Sequence, residues 1–119
     1  MTTSEFTKSV IALACWRAAP TETHQTMLYI AMVFRNRALA GWYESDIYEN
    51  CWRWLAETPG EFPDTREFHF QQLLAKLDSV TSGLVPDKTD GALYFAPIDT
   101  FEQIQGTVTT TVGKIIFVR

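Results

Sequence analysis

Few side chains in this sequence are placed to move a proton or hold a polar ligand. Three carboxylates stand out by position: Glu22 shortly after Pro20, Glu61 inside TPGEFP (58–63), and Asp87 in VPDKTDG (85–91). A carboxyl kept protonated near neutral pH is a general acid, and the same group ionised is a general base. Each has a plainer role as well. Glu22 suits a first helical turn, facing the positive end of the dipole. Glu61 reads as a solvated loop acid, although loops often carry function. Asp87 reads as a turn-former ahead of Thr89 and Asp90. His24 and His69 have no spacing suited to metal and read as surface or helix-end residues. Cys15 and Cys51 form no CxxC and read as two buried thiols rather than a bridge. No metal or other cofactor is expected.

Polar and aromatic groups complete the inventory. Asn36 and Arg37 could hydrogen-bond N-acetyl or carboxylate groups; equally, Asn36 could hold a helix end to a loop while Arg37 stays a solvated cation. Trp16, Trp42, Tyr43, Trp52, Trp54, Tyr94 and Phe95 offer faces on which sugars stack, or simply fill the core.

The elements that must position these groups follow from periodicity and punctuation. A first helix from near Ser4 sets Phe6, Val10, Leu13 and Ala14 on one side. Pro20 pushes Ala19 out of the α region, so the helix stops near Arg17 or Ala18. A second starts at Thr21 or Glu22, carries Met27, Leu28, Ile30, Ala31, Phe34 and Leu39, and ends before Gly41. Asp46 with Glu49 reads as a capping pair for a short helix through Trp54, and Asp64 with Glu67 as another. The latter opens a helix with Phe70, Leu73, Leu74, Leu77 and Val80 inward, closed by Gly83. Then the period changes: ALYFA (92–96) and VTTTVGKIIFV (108–118) are β-rich, with Gly113-Lys114 marking a bend or bulge. The expected fold is α+β, one domain over 1–119, helices first and then a short antiparallel sheet.

The 119 residues suffice for one core. Hydrophobic residues at 46% and charged ones at 20% are ordinary for a globular chain, while 13% aromatics is high. The net charge of −4 and ten scattered Lys and Arg argue against a nucleic-acid partner, which needs a basic stripe. No apolar run approaches the roughly 20 residues that span a bilayer. VIALACW (10–16) is short, and ALAC matches a lipoprotein cleavage site only loosely, so 5–18 reads as a helix of the mature domain rather than a signal.

Two segments carry a more specific pattern: CWRAAPTETHQTMLYIAMVFRNR (15–37) and SGLVPDKTDGALYFAP (82–97). Together they resemble the SleB-type cell-wall hydrolases, the family of spore-cortex-lytic enzymes. Ala19 matches the Ala of that family's E-A pair, Glu22 its second Glu, and Val33, Asn36 and Arg37 its helix end. Gly83, Pro86, Asp87, Thr89, Gly91, Ala92, Tyr94 and Phe95 match the later motif. PGEFP (59–63) is similar to P-G-Q-F-S, with Glu61 for Gln and Pro63 for Ser. VGKIIFV (112–118) resembles the terminal strand, with Ile115 where a His is common. The departure that matters is Ala18, which falls where the family carries its acid.

The resemblance implies a small lysozyme-like domain that cleaves the β-1,4 bond between N-acetylmuramic acid and N-acetylglucosamine. Peptidoglycan is then the partner and the cell wall or periplasm the place of action, reached by lysis or another route. A lytic transglycosylase of this type needs one carboxyl, which protonates the leaving oxygen and then takes the proton of the muramyl C6 hydroxyl. Position 18, at a helix C-terminus and beside Trp16, would hold such a carboxyl protonated closer to neutral pH. Ala18 supplies no proton, so the chain as it stands is expected to be inactive, with Glu22 and Glu61 the remaining acids of interest. The resemblance also implies that the two segments meet at one cleft, with Ala18 on its wall and Glu22, Tyr94 and Phe95 nearby. Two other readings stay open: a natural pseudoenzyme that binds glycan without cutting it, and a protein-interaction module on the same fold.

Overall fold

The computed structural model describes residues 3–103 and 105–119. Its order is α1 (Thr3–Ala18), α2 (His24–Leu39), a 3-10 segment (Trp42–Ser45), α3 (Ile47–Glu57), α4 (Phe68–Thr81), β1 (Tyr94–Pro97), a 3-10 segment (Ile98–Gln103), β2 (Val108–Val112) and β3 (Ile115–Val118). The chain is α+β, with the helices first and a three-stranded antiparallel sheet after them, ordered β1-β3-β2.

Local chemistry explains most of the boundaries. α1 stops at Ala18, where the Ala19 N–H turns back to the Trp16 carbonyl ahead of Pro20. α2 begins later than periodicity alone suggests. Residues 19–22 close a turn through Glu22 N–H to the Ala19 carbonyl at 3.1 Å, and Thr23 takes the N-cap position without a side-chain bond. Glu22 therefore lies outside the helix instead of in its first turn. Asp46 caps α3 as expected, accepting the Tyr48 N–H at 2.8 Å, and the helix runs on past Trp54 to Glu57. At α4 the capping roles differ from the expected pair. Glu67 is itself the N-cap, its two oxygens accepting His69 N–H and Phe70 N–H, while Asp64 closes a separate turn with Arg66. Gly83, at φ +83°, ends that helix in the left-handed region.

α2 runs through the centre. Met27, Ile30, Ala31, Val33 and Phe34 are fully buried against Ala12, Ala14 and Cys15 of α1, Leu73 and Leu77 of α4, and Phe117 of β3. The Phe34 ring meets Trp54 edge-on at 5.9 Å and Phe95 at 5.8 Å. Phe6, expected to point inward with Val10, is half exposed and leans on Tyr48 instead. Among the strands, β3 is buried along its whole length, as the central strand should be when covered on both faces. Cys15 and Cys51 are free and buried, and burial pushes both thiols above their ordinary pKa, which leaves them unreactive. No helix among the described residues is long and apolar enough to cross a membrane.

Removing the Phe34 ring should unfold the centre of this arrangement. Phe34→Ala is expected to lose about 3–5 kcal/mol in chemical denaturation. A loss below about 1 kcal/mol would show that the ring is not in a close-packed core.

Candidate functional site

The end of α1 opens onto a groove of about 440 Å³ between the α1–α2 turn and the sheet, lined in part by Ala18, Pro20, Glu22, Ile98, Asp99 and Lys114. Ala18 packs one side against the core and presents the other to this groove. Glu22 spans the groove's end. Its Oε1 accepts the backbone N–H of Lys114 at 2.8 Å, tying the α1–α2 turn to the tip of the β2–β3 hairpin across 92 residues of chain.

The hairpin tip is built to receive that carboxylate. Gly113 sits at φ +58°, as the first residue of a two-residue hairpin link often does. A Cβ added there would lie 1.9 Å from Glu22 Oε1. Only glycine leaves room for the Glu22–Lys114 bond.

A second fastening joins the end of α2 to the loop before β1. The Asn36 side-chain amide donates to Asp87 Oδ2 at 3.0 Å, to Thr89 Oγ1 at 3.2 Å and to the Ala92 carbonyl at 3.0 Å. Asp87 in turn accepts the N–H groups of Thr89 and Gly91 and the Thr89 hydroxyl. Partial burial opposes its ionisation, but these hydrogen bonds outweigh burial and hold its pKa below the ordinary value. With a folded value below the unfolded one, the contribution is present above about pH 4 and lost only as pH falls through the depressed value. Thr109, at the bulge of β2, adds a hydroxyl bond to the Thr89 carbonyl.

Arg37 is half-buried rather than a fully solvated cation. Its Nε donates to the Leu93 carbonyl at 2.7 Å, and its guanidinium lies over Trp42 at 4.9 Å, with Phe34, Tyr94 and Phe95 at 5.4 to 5.7 Å. Burial lowers its pKa, opposed by Tyr94, Cys51 and Tyr43. The group stays charged at neutral pH and works as a cation among π faces.

The structure thus brings Ala18 and Glu22 together and sets the other candidates elsewhere. Tyr94 and Phe95 open β1, whereas Pro97 at its far end lines the Ala18 groove, about 10 Å along the strand. Phe95 faces Phe34 and Trp54, and Tyr94 stacks edge-on to Trp42. Trp16 packs against the core rather than into the groove. Glu61 is exposed and outside the groove lining, but its loop is fixed: Arg17 donates to the Glu61 carbonyl through Nε and Nη2, and to the Thr58 carbonyl through Nη1. Trp52 and Tyr43 are exposed on the α3 side. Sequence reasoning missed Asp99 and Lys114, the charged groups facing Ala18 across the groove. Asp99 sits in no motif, and Lys114, although inside VGKIIFV (112–118), reads with Gly113 only as a bend or bulge. Among the described residues no group of three metal-ligating side chains occurs. No protein-family profile, curated protein or solved structure matches this chain.

Two outcomes follow from these fastenings. Gly113→Ala should destabilise the chain by about 1–3 kcal/mol, through the positive φ and through displacement of the Glu22 carboxylate. In a Glu22→Ala background the same change should cost about 1 kcal/mol less, because the carboxylate is gone and only Thr26 Oγ1, at 3.3 Å, is left close to the added carbon; a strictly additive double-mutant cycle would disprove the contact. Asp87→Asn should lose about 1–3 kcal/mol in denaturation at neutral pH, since an amide meets donors with donors. That deficit should shrink in strong acid, where the Asp87 carboxylate itself is protonated.

Proposed function

We propose that this chain is a peptidoglycan-cleaving domain of the SleB type, acting on the β-1,4 bond between N-acetylmuramic acid and N-acetylglucosamine, in a form that lacks its general acid. The observation that carries the reading is the placement of Ala18. The position where the resembled family carries its acid is the last residue of a helix, on the wall of an open groove with Glu22 beside it. A residue in the dry interior could not meet a glycan strand.

The chemistry asks for one carboxyl at that point. As an acid it protonates the glycosidic oxygen while the bond to the muramyl C1 breaks. As a base it then removes the C6 hydroxyl proton while that oxygen closes on C1 to give the 1,6-anhydro product. The C-terminal end of α1 disfavours ionisation of a carboxylate, which suits the acid step. Ala18 has no proton to give. Glu22 cannot replace it readily, because its Oε1 is held by Lys114 N–H. Glu61 stands outside the groove. The sequence flanking the gap, from Trp16 to Glu22, keeps the family pattern, which favours a single replacement at 18 over a site abandoned long ago, although Ile115 on the same groove stands where a His is common. The same groove without its acid also suits a glycan-binding pseudoenzyme, and an interaction module on this fold is the third reading.

The chain as it stands should bind purified peptidoglycan and release no muropeptides. Ala18→Glu should restore cleavage, with a rate that falls as pH rises through the pKa of the new carboxyl. Ala18→Gln should fill the same space and stay inactive, since loss of general acid help alone removes about 10²–10⁴-fold. An Ala18→Glu protein that is folded, binds peptidoglycan and still releases nothing would leave the pseudoenzyme reading in its place. Absence of binding in every variant would point to the interaction module.

A further inference from the structure

His24 opens α2 and His69 stands in the first turn of α4, 45 residues apart in sequence. Their Nδ1 atoms lie 2.9 Å apart, with ring centroids at 5.2 Å. The backbone N–H of His24 also points at His69 Nδ1, at 3.2 Å. Two contacts therefore converge on one ring nitrogen, and hydrogen counting fixes how they can be made. The backbone N–H can only donate, so His69 Nδ1 must keep its lone pair and carry its proton on Nε2. His24 Nδ1 then carries a hydrogen and shares that lone pair. His24 Nε2 is left as an acceptor, and the Lys76 ammonium faces it at 3.4 Å.

This scheme works only with both rings neutral. A proton added to His69 must go to Nδ1, where it would meet two N–H groups. A proton added to His24 must go to Nε2, against the Lys76 charge. We propose that His24 and His69 form a proton-released clasp, which pins the first turn of α4 to the start of α2 while both rings are neutral and opens on acidification. The ionisable groups that face His24 are His69, Lys76 and Glu67. Partial burial, then Lys76 and His69, lower the His24 pKa, and Glu67 opposes them. The Glu67 carboxylate is already held by His69 N–H and Phe70 N–H. With a folded value below the unfolded one, the stabilisation is complete above the ordinary histidine value of about 6.5 and lost as pH falls below it.

The clasp sits between two pieces that matter to the groove. One residue before Thr23 is Glu22, which anchors the hairpin tip. On the α4 side, residues 58–61 of the preceding loop are the ones that Arg17 fixes at the end of α1. Opening the clasp frees the start of α2 from α4 beside the groove wall. The inference stands apart from the glycan reading, since it needs no substrate. A metal is a poorer occupant: His69 Nδ1 is already engaged by a backbone N–H, and a lysine ammonium faces the other ring.

Site-resolved amide hydrogen exchange on the unaltered chain tests this. After correction for intrinsic rates, the hydrogen-bonded amides of His24, Met27, His69, Phe70 and Gln71 should lose protection by about tenfold or more between about pH 7.5 and about pH 5, while those of Val33 and Phe34 hold theirs. His69→Asn, which offers an oxygen near the same place that does not titrate, should shrink the pH dependence at His24 and Met27 to the part that comes from His24 against Lys76. Unchanged protection in the unaltered chain, or the same pH dependence in His69→Asn, overturns the clasp. Nitrogen chemical shifts of the two imidazoles in the unaltered chain give a reading that needs no variant. His69 protonated on Nε2 and His24 on Nδ1 at neutral pH support it, and His69 carrying its hydrogen on Nδ1 refutes it.

Discussion

The rest of the molecule hangs on the hydrogen bonds that leave the last turn of α2. Asn36 has two amide hydrogens and sets them among three oxygens of the segment 87–92, and Arg37 reaches the next carbonyl at Leu93. That segment has no regular structure of its own, so its backbone groups need partners from outside. Once it is tied, Tyr94 is delivered to the start of β1, and the register Tyr94↔Val118 through Pro97↔Ile115 sets β3 against the helices. The hydrophobic core supplies most of the driving force, but it is the pair at 36 and 37 that decides where the sheet lies on it.

Aromatic packing around Arg37 extends the same constraint. A cation enclosed by Trp42, Phe34, Tyr94 and Phe95 joins α2, the segment after it and β1 with one side chain. A lysine would keep the charge but lose the planar fork that stacks and donates at once. The groove at Ala18 lies at the other end of β1, where α1 stops and the hairpin turns. Its position is therefore inherited from contacts made elsewhere, and the exposed bond from Lys114 N–H to Glu22 ties its walls together.

Much of this was legible in the sequence where one rule acted alone. Pro20 ended α1, Asp46 capped α3, Gly83 closed α4, and the change of period after it marked the strands. The misses fall where side chains from distant segments compete for a residue. Glu22 reads locally as a first-turn acid, yet a hairpin tip far along the chain claims it. Glu67 reads as the partner of a capping Asp64, yet its own carboxylate reaches two backbone N–H groups. Asn36 carried two readings of equal standing until the loop acceptors were in view. For the groove, the sequence pointed to position 18 and its neighbour at 22, but Asp99 and Lys114 have no local signal, because only tertiary folding brings them there. Tyr94 and Phe95, which belong to the later motif, lie at the opposite end of β1 from the groove.

The sheet order carries a consequence for how the chain acquires its shape. The central strand, β3, is made after every element it packs against, including both of its strand neighbours. The four helices precede it and can find one another through contacts of modest sequence separation, which form quickly. The sheet face of the helical layer stays uncovered until residues 115–118 leave the ribosome, and only then can Lys114 meet Glu22. A nascent chain paused before that point is a helical intermediate with Tyr29 still short of its strand partner Phe117. Such a species is the kind that chaperones hold and proteases sample.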